Sequence, residues 1–457
     1  MEEDKELSST QSCFPKLASL IVIECYKLKS LFYVSSPMDF PNLEVLIINR
    51  AIELEKLFGC KEGASKNVVS LPSLKTLKTT RCKKLEVIFP LSILRCLPNL
   101  ESLAIYECDE LKQIMEEDKE LSSTHPFFPK LASLVVRECH KLKSLFYVSS
   151  LTNFPNLEVL IINGATELEK LFGCKKGACK NFFSLPSLKT LETTRCTKLE
   201  VIFLSSILRC LPNLERLDIY ECDELKQIME EDKELSSTQP CLPKLASLVV
   251  KECHKLKSLF YVSSPTDFSN LKVLSIDGAT ELEKLFGCKE GAFKNSFSLS
   301  SLKTLETSGC TKLEVIFPAF VLRCLPNLEL LYIFQCDELK QIMEEDKELS
   351  STQPCFPKLA SLIVIECHML KSLFYVSSPT HFPTWRCLPN LERLDIFVCD
   401  ELKQIMEEDK ELSSTQPCFP KLASLVVEEC HKLKNLFYVS SPTDFPNLEV
   451  LDHKWSH

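Results

Sequence analysis

Thiols are the groups in this sequence that most invite a chemical reading, since 24 cysteines occur among 457 residues. Cysteine can close disulfides, ligate zinc or act as a nucleophile, and each use demands its own spacing and partners. Twelve of them, Cys25, Cys82, Cys108, Cys139, Cys196, Cys222, Cys253, Cys310, Cys336, Cys367, Cys399 and Cys430, close one recurring string, LxxLxLxxC. A thiol at such a place packs as a small hydrophobe and meets the turning backbone through its weak donor. Neighbours such as Cys196 and Cys222 approach with parallel side-chain vectors, so free thiols are expected. Zinc needs four convergent ligands, and the close pair Cys174 and Cys179 becomes Cys60 with Ser65 and Cys288 with Phe293 in sibling copies. His140, His254, His368 and His431 each follow a repeat cysteine, with Tyr26 in that place in the first copy, a pattern that suits packing. No Ser/His/Asp or Cys/His pairing stands apart from the repeats. The expectation is no catalysis, no metal and no cofactor.

Composition narrows the remaining classes. With 45% hydrophobic and 26% charged side chains the chain can bury a large core. The net charge of -9 comes from interspersed acids and bases, without the basic footprint that nucleic acid or anionic lipid would attract. The opening MEEDKE lacks an apolar h-region, and no run approaches the ~20 apolar residues that span a bilayer. A cysteine-rich chain without glycosylation sequons, and far longer than disulfide scaffolds, belongs in a reducing cytoplasm or nucleus. Nucleic acid, membrane and small-molecule substrates are therefore not expected partners.

The elements that must position these residues are repeats. Only 9 glycines against 28 phenylalanines is a skewed usage that points to duplication. The string MEEDKELSS begins at Met1, Met115, Met229, Met343 and Met406, at intervals of 114, 114, 114 and 63 residues. The copies are thus 1-114, 115-228 and 229-342, a truncated copy 343-405 and a partial copy 406-457. Each long copy divides again, because Phe or Leu followed by Pro (or Ser) recurs at Phe128, Phe154, Leu185, Leu211 and Leu242, spaced 26, 31, 26 and 31. Leu-x-Leu alternation buries one face of a short strand, and leucines at wider spacing turn the chain back to cover it. One coil cannot bury its own apolar face, so coils stack and contribute one strand each to a parallel sheet.

The expected fold is a single α/β leucine-rich-repeat solenoid over 1-457, curved and right-handed. It has a short parallel concave β-sheet and an irregular convex side with short helical turns, one of them around Ser92 to Cys96. Fifteen complete coils run from Phe14 to Phe419, and a sixteenth begins at Phe445 and leaves the pattern after Leu451. Between Phe356 and Leu388 a spacing of 32 stands where 83 is expected, so 51 residues, close to two coils, are missing around Thr384 and Trp385. The repeat phase survives that loss. Two residues after the cysteine position the chain reads Lys27, Glu53, Lys84, Glu110, Lys141, Glu167, Lys198, Glu224, Lys255, Glu281, Lys312, Glu338, Met369, Glu401 and Lys432. Stacked about 5 Å apart, each lysine would sit between two glutamates and help fix the register. The acidic MEEDKE segments read as solvated loops.

The cysteine of the LxxC position, the F/L-P opening and the irregular 26/31 lengths resemble the leucine-rich-repeat region of plant nucleotide-binding (NB-ARC) disease-resistance proteins. The segments LPNLERLDIYECDELKQI from Leu211 and FPKLASLVVRECHKLKSLF from Phe128 are most similar to the coiled-coil class of that family. The resemblance implies a recognition region of an immune receptor, whose protein partner would be a pathogen effector, a guarded host protein or the receptor's own nucleotide-binding switch domain. Such a switch domain carries a phosphate loop, G-x-x-x-x-G-K-[ST]. No such string occurs, and the nearest approach, Gly173 to Lys180, has the wrong spacing. No nucleotide-binding domain is therefore read here, and the chain is expected to be a fragment of a longer receptor. The competing readings are a stand-alone adaptor, such as a ubiquitin-ligase substrate receptor, and an inert duplicated fragment.

Sibling copies differ most usefully where strand residues flank the buried Leu-x-Leu pair. One such position reads Ile23, Arg137, Lys251, Ile365 and Glu428, and another reads Ala104, Asp218, Tyr332 and Asp395 beside the aromatic series Tyr106, Tyr220, Phe334 and Phe397. Exposed aromatics amid variable charge suit a protein-binding face. The candidate binding residues are accordingly Ile23, Tyr106, Arg137, Asp218, Tyr220, Lys251, Tyr332, Phe334, Ile365, Asp395, Phe397 and Glu428. Copies also differ in loops, as at Glu62, Lys176 and Glu290. On this layout Leu217 points inward and Asp218 outward, so Asp218→Ala is expected to cost under about 0.5 kcal/mol.

Overall fold

The computed structural model describes residues 11–12, 14–34, 38–60, 69–90, 93, 97–116, 128–148, 154–174, 185–203, 211–229, 242–262, 268–288, 299–318, 325–344, 356–373, 388–405, 419–434, 436 and 445–454. The MEEDKE loops beyond Glu116, the segment from Gly177 to Lys180, Cys179, Thr384, Trp385, Glu62, Lys176 and Glu290 lie outside them. The chain divides into two compact units, Met1–Glu200 with Ser206–Asn213, and Val201–Ser205 with Leu214–His457.

Each unit is a leucine-rich-repeat stack built from five-residue strands. The first unit holds Ser19–Ile23, Val45–Asn49, Thr76–Thr80, Ser102–Tyr106, Ser133–Arg137, Val159–Asn163 and Thr190–Thr194, which pair in parallel in chain order. The second holds Arg216–Tyr220, Ser247–Lys251, Val273–Asp277, Thr304–Ser308, Leu330–Phe334, Ser361–Ile365, Arg393–Phe397, Ser424–Glu428 and Val450–Lys454, paired in the same way. Period-2 alternation sets the faces. Leu103 and Ile105 are buried, whereas Ser102, Ala104 and Tyr106 face away from the core. Because every pair is in register, leucine meets leucine along the stack, as Leu103 does with Leu77 and Leu134. The strand Ser361–Ile365 pairs directly with Arg393–Phe397, so the 51-residue gap is spanned without a slip of face. The sixteenth coil also keeps its strand past Leu451, through Lys454.

Two ladders between coils hold the register, and a thiol bond within each coil closes its turn. Asparagines of the F/L-P-N-L opening donate to the proline carbonyl of the preceding coil, as Asn99 Nδ2 does to Pro72 O and Asn156 Nδ2 to Pro129 O, both at 2.6 Å. Serine does the same in the LPSL coils, Ser73 Oγ reaching Pro41 O at 2.5 Å. At the strand exits the backbone turns left-handed, at φ 51 in Glu107 and φ 52 in Glu138, a conformation that costs a non-glycine residue about 1–2 kcal/mol. The turn aims each N–H at the last carbonyl of the next strand, Glu107 N to Arg137 O at 2.8 Å and Glu138 N to Asn163 O at 2.7 Å, so the parallel ladder gains a rung. Each of the twelve repeat thiols then donates to the carbonyl two residues back, at 3.4 to 3.7 Å. Eleven are buried and Cys25 is exposed, all as free thiols. The neighbouring thiol, Cys108 for Cys82 and Cys139 and Cys222 for Cys253, and then burial push these three thiols far above the ordinary thiol range.

Several expectations need correction. No helix occurs among the described residues, and the side away from the main sheet carries short parallel strands instead. Examples are Ser144–Val148 with Lys170–Cys174 and Val201–Phe203 with Gln227–Met229. The cause is local: SLFYV and VIF are aromatic and β-branched runs, and stacked coils hold them at pairing distance. Ser92 and Cys96 lie outside the described residues. In the charge column the bonding contact falls on one side, although the charge of the glutamate on the other side also acts, as Glu338 does on Lys312. Six of its lysines bond the glutamate of the coil before them, Lys84 to Glu53, Lys141 to Glu110, Lys198 to Glu167, Lys255 to Glu224, Lys312 to Glu281 and Lys432 to Glu401, at 2.5 to 2.7 Å. The histidines after the cysteines are not packed in the core: His140 and His254 are about half exposed beside Glu138 and Glu252, and His368 Nδ1 lies 2.9 Å from Asp400. Tyr26 is likewise exposed.

Candidate functional site

The outward face of each sheet is a grid in which the first, third and fifth residues of successive strands line up. At the fifth position the two series read from the sequence become neighbours. Tyr106 pairs in register with Arg137, Tyr220 with Lys251, Phe334 with Ile365 and Phe397 with Glu428. Eight of the twelve candidates therefore form four aromatic-plus-variable pairs. Because of the missing coils, Ile365 also pairs with Phe397, and Phe334, Ile365, Phe397 and Glu428 run across four consecutive strands. Tyr332 lies against Phe334, with ring centroids 6.5 Å apart. Ile23 stands apart from these pairs, beside Asn49, and is 56% exposed.

Asp218 and Asp395 break the expectation. Both sit at the outward third position of their strands, yet they are only 3% and 2% exposed. In each case an arginine two residues earlier on the same strand lies over the carboxylate. Arg216 Nε bonds Asp218 Oδ2 at 2.6 Å, and Arg393 Nε bonds Asp395 Oδ2 at 2.7 Å. The pairing raises both guanidinium pKa values. Asp395 is further walled in by its register neighbours Ile363 and Val426. The remaining oxygens, Asp218 Oδ1 and Asp395 Oδ1, are buried without a hydrogen-bond partner among the described residues. Arg216 and Arg393, not the aspartates, are what these strands present to a partner.

Sequence reasoning missed other members of the face. The third position of the FPKL coils reads Ile21, Val135, Val249, Ile363 and Val426, apolar in every copy and half-buried or exposed. Its constancy makes it look like framework, and only the alternation of burial assigns it outward. Lys78 Nζ lies 5.1 Å from the Tyr106 ring centroid, a cation–π contact across adjacent strands. Among the described residues no group of three or more His, Cys, Asp or Glu side chains is arranged to hold a metal ion, and no helix is long and apolar enough to cross a membrane.

Comparison with known proteins adds the following. A family model described as plant disease resistance protein RPS2-like, leucine-rich repeats, matches residues 52–125, 167–286, 278–354 and 349–454. A probable disease resistance protein of Arabidopsis thaliana, At4g14610, is 30% identical over 132 residues, which is 27% of this chain and 16% of that protein. Disease resistance protein RPS5 of the same plant is 32% identical over 133 residues, 27% of this chain and 14% of its own length. The match thus spans less than a fifth of the length of either relative. A leucine-rich repeat protein of Bacteroides ovatus aligns over 96% of this chain and 88% of its own, at a TM-score of 0.28 and 13% identity, too distant to bear on function.

Proposed function

Because this chain belongs to the leucine-rich repeats of RPS2-like plant disease resistance proteins, we propose that it is the recognition region of an immune receptor, binding a protein partner through the outward face of its sheet. The partner would be a pathogen effector, a guarded host protein or the receptor's own nucleotide-binding switch domain. The activity is non-covalent recognition in a reducing compartment.

One observation carries the reading. Sibling coils place Arg137, Lys251, Ile365 and Glu428 at the same fifth strand position, while the inward leucine of the same strands, Leu134, Leu248, Leu362 and Leu425, never changes. A face that alters charge and size over a constant core can change partner without changing fold, and its aromatic neighbours supply the anchors that hot spots favour.

The test is a screen of the full chain against displayed libraries of secreted pathogen proteins, plant proteins and nucleotide-binding switch domains. For a selected binder, the triple variant Phe334→Ser, Ile365→Ser, Phe397→Ser should weaken binding by at least about tenfold. The triple variant Lys141→Ser, Lys198→Ser, Lys255→Ser, in the charge ladder away from that face, should change it by less than about twofold. The opposite ranking overturns the assignment of the face.

A further inference from the structure

Residues at the left-handed strand exits follow one another from coil to coil, and between the copies 115-228 and 229-342 they differ at two places, Arg195 against Gly309 and Glu221 against Gln335, of which the first removes a guanidinium. In the copy 115-228, Arg195 lies across two coils: its Nη2 is 2.5 Å from Glu138 Oε1 and 2.9 Å from Asn163 Oδ1, and its Nε is 3.2 Å from the same Oδ1. Glu138 reaches this guanidinium by passing over Gly164, where an added Cβ would lie 2.6 Å from Glu138 Oε2. The arginine is thus held by a carboxylate, an amide oxygen and a gap left by a missing side chain.

The copy 229-342 keeps an acceptor at both places and omits the arginine. An offset of 114 residues carries Glu138 to Glu252, Asn163 to Asp277, Gly164 to Gly278 and Arg195 to Gly309. Gly278 leaves the same gap, since a Cβ there would lie 2.8 Å from Glu252 Oε2. Gly309 lies alongside, its added Cβ meeting Gly278 N at 3.2 Å and Asp277 Oδ1 at 3.9 Å. Where the sibling uses an amide, this copy has a second carboxylate, Asp277. Without the arginine the acid is more open: the Glu252 side chain is 52% exposed, against 34% for Glu138. The surroundings are otherwise matched. His254 Nε2 lies 3.5 Å from Glu252 as His140 does from Glu138 at 3.8 Å, and Lys251 pairs with Asp277 as Arg137 does with Asn163.

We propose that Glu252 and Asp277, over Gly278 and Gly309, form a guanidinium-binding notch that takes an arginine side chain presented by a protein partner. The partner half of this statement rests on the recognition reading above; the notch does not. Guanidinium, rather than ammonium, is the fitting cation because Arg195 engages both acceptors through separate N–H groups of a planar fork, which a lysine cannot reproduce.

Ligand-observed saturation-transfer NMR on the full chain tests it, with acetylarginine methylamide as the probe and the lysine and citrulline analogues as comparisons. The arginine probe should give a signal at least about fivefold above either analogue, and Glu252→Gln or Gly309→Arg should reduce that signal to the analogue level. Gly309→Arg is compatible with the fold, because Arg195 occupies the equivalent left-handed position at φ 51, and it should place a guanidinium on Glu252 from within. Equal signals from the wild type and both variants overturn the notch. A selected protein partner that binds wild type and Gly309→Arg alike overturns the partner half alone. An arginine signal lost in both variants, in a chain for which no protein partner is found, supports the notch while counting against the recognition reading.

Discussion

Asp395 is the residue at which face and burial part company. It points away from the core, yet Arg393 covers it and Ile363 and Val426 flank it. Removing the exposed arginine strands a half-bonded carboxylate, whereas removing the aspartate leaves an arginine that water can solvate. We expect Arg393→Ala to cost about 1–3 kcal/mol in urea unfolding and Asp395→Ala to be neutral or stabilising. A larger loss for Asp395→Ala would contradict this account. Asp218 lies under Arg216 in the same way, so a small cost for Asp218→Ala would reflect the release of a half-bonded buried carboxylate and not exposure, whereas Leu217→Asp should cost about 3 kcal/mol or more, because Leu217 is fully buried. The sequence alternation makes Leu217 legible as core. It cannot reveal that Arg216 folds back over Asp218, since that depends on a rotamer and not on spacing.

At the scale of the coil, the LxxLxLxxC string dictates what it should: the parallel strand, its inward leucines and the thiol that closes the turn all lie where period-2 alternation and the coil length place them. The far side was not legible in that way. Its SLFYV and VIF runs satisfy a turn-and-cover role as well as a strand, and pairing there depends on the neighbouring coil being present. The asparagine ladder also escapes single-coil reasoning, because donor and acceptor lie 27 residues apart in Asn156 and Pro129. Its amide satisfies a carbonyl that the preceding coil leaves free. Asn156→Ala should therefore lower stability by about 1 kcal/mol, with Asn156→Ser partly restoring it, as Ser187 already bonds Pro155 O in a sibling place. An unchanged urea midpoint for Asn156→Ala would mean that the ladder follows the register without securing it.

Over the whole molecule, the charge column links stability to pH. Hydrogen bonds from Lys141, Lys198, Lys312 and Lys432 hold the Glu110, Glu167, Glu281 and Glu401 carboxyls below their ordinary value of 4.5. For a depressed carboxyl the stabilisation is fully present above the unfolded value and is lost as pH falls through the folded one. The urea midpoint should hold steady near neutrality and decline below about pH 4.5, with a shallower decline when all four glutamates are replaced by glutamine. On the alkaline side Lys84 and Lys312 are raised above 10.5 by Glu53 and Glu281, so their contribution persists below that value and fades as pH rises through the folded one. The column has one break, exposed Met369 at the lysine place next to Glu338. Met369→Lys should add about 0.2–0.5 kcal/mol at low salt, a gain that high salt removes.

The most direct test of the recognition face is a hydroxyl-radical footprint of the full chain, free and bound to a partner selected by display. Tyr220, Tyr332, Phe334 and Phe397 on the outward face should lose labelling on binding, while Tyr26 and Met369, exposed at the turns after the strands, should label as before. Protection of Tyr26 and Met369 with the outward aromatics unchanged would place recognition elsewhere and contradict the account.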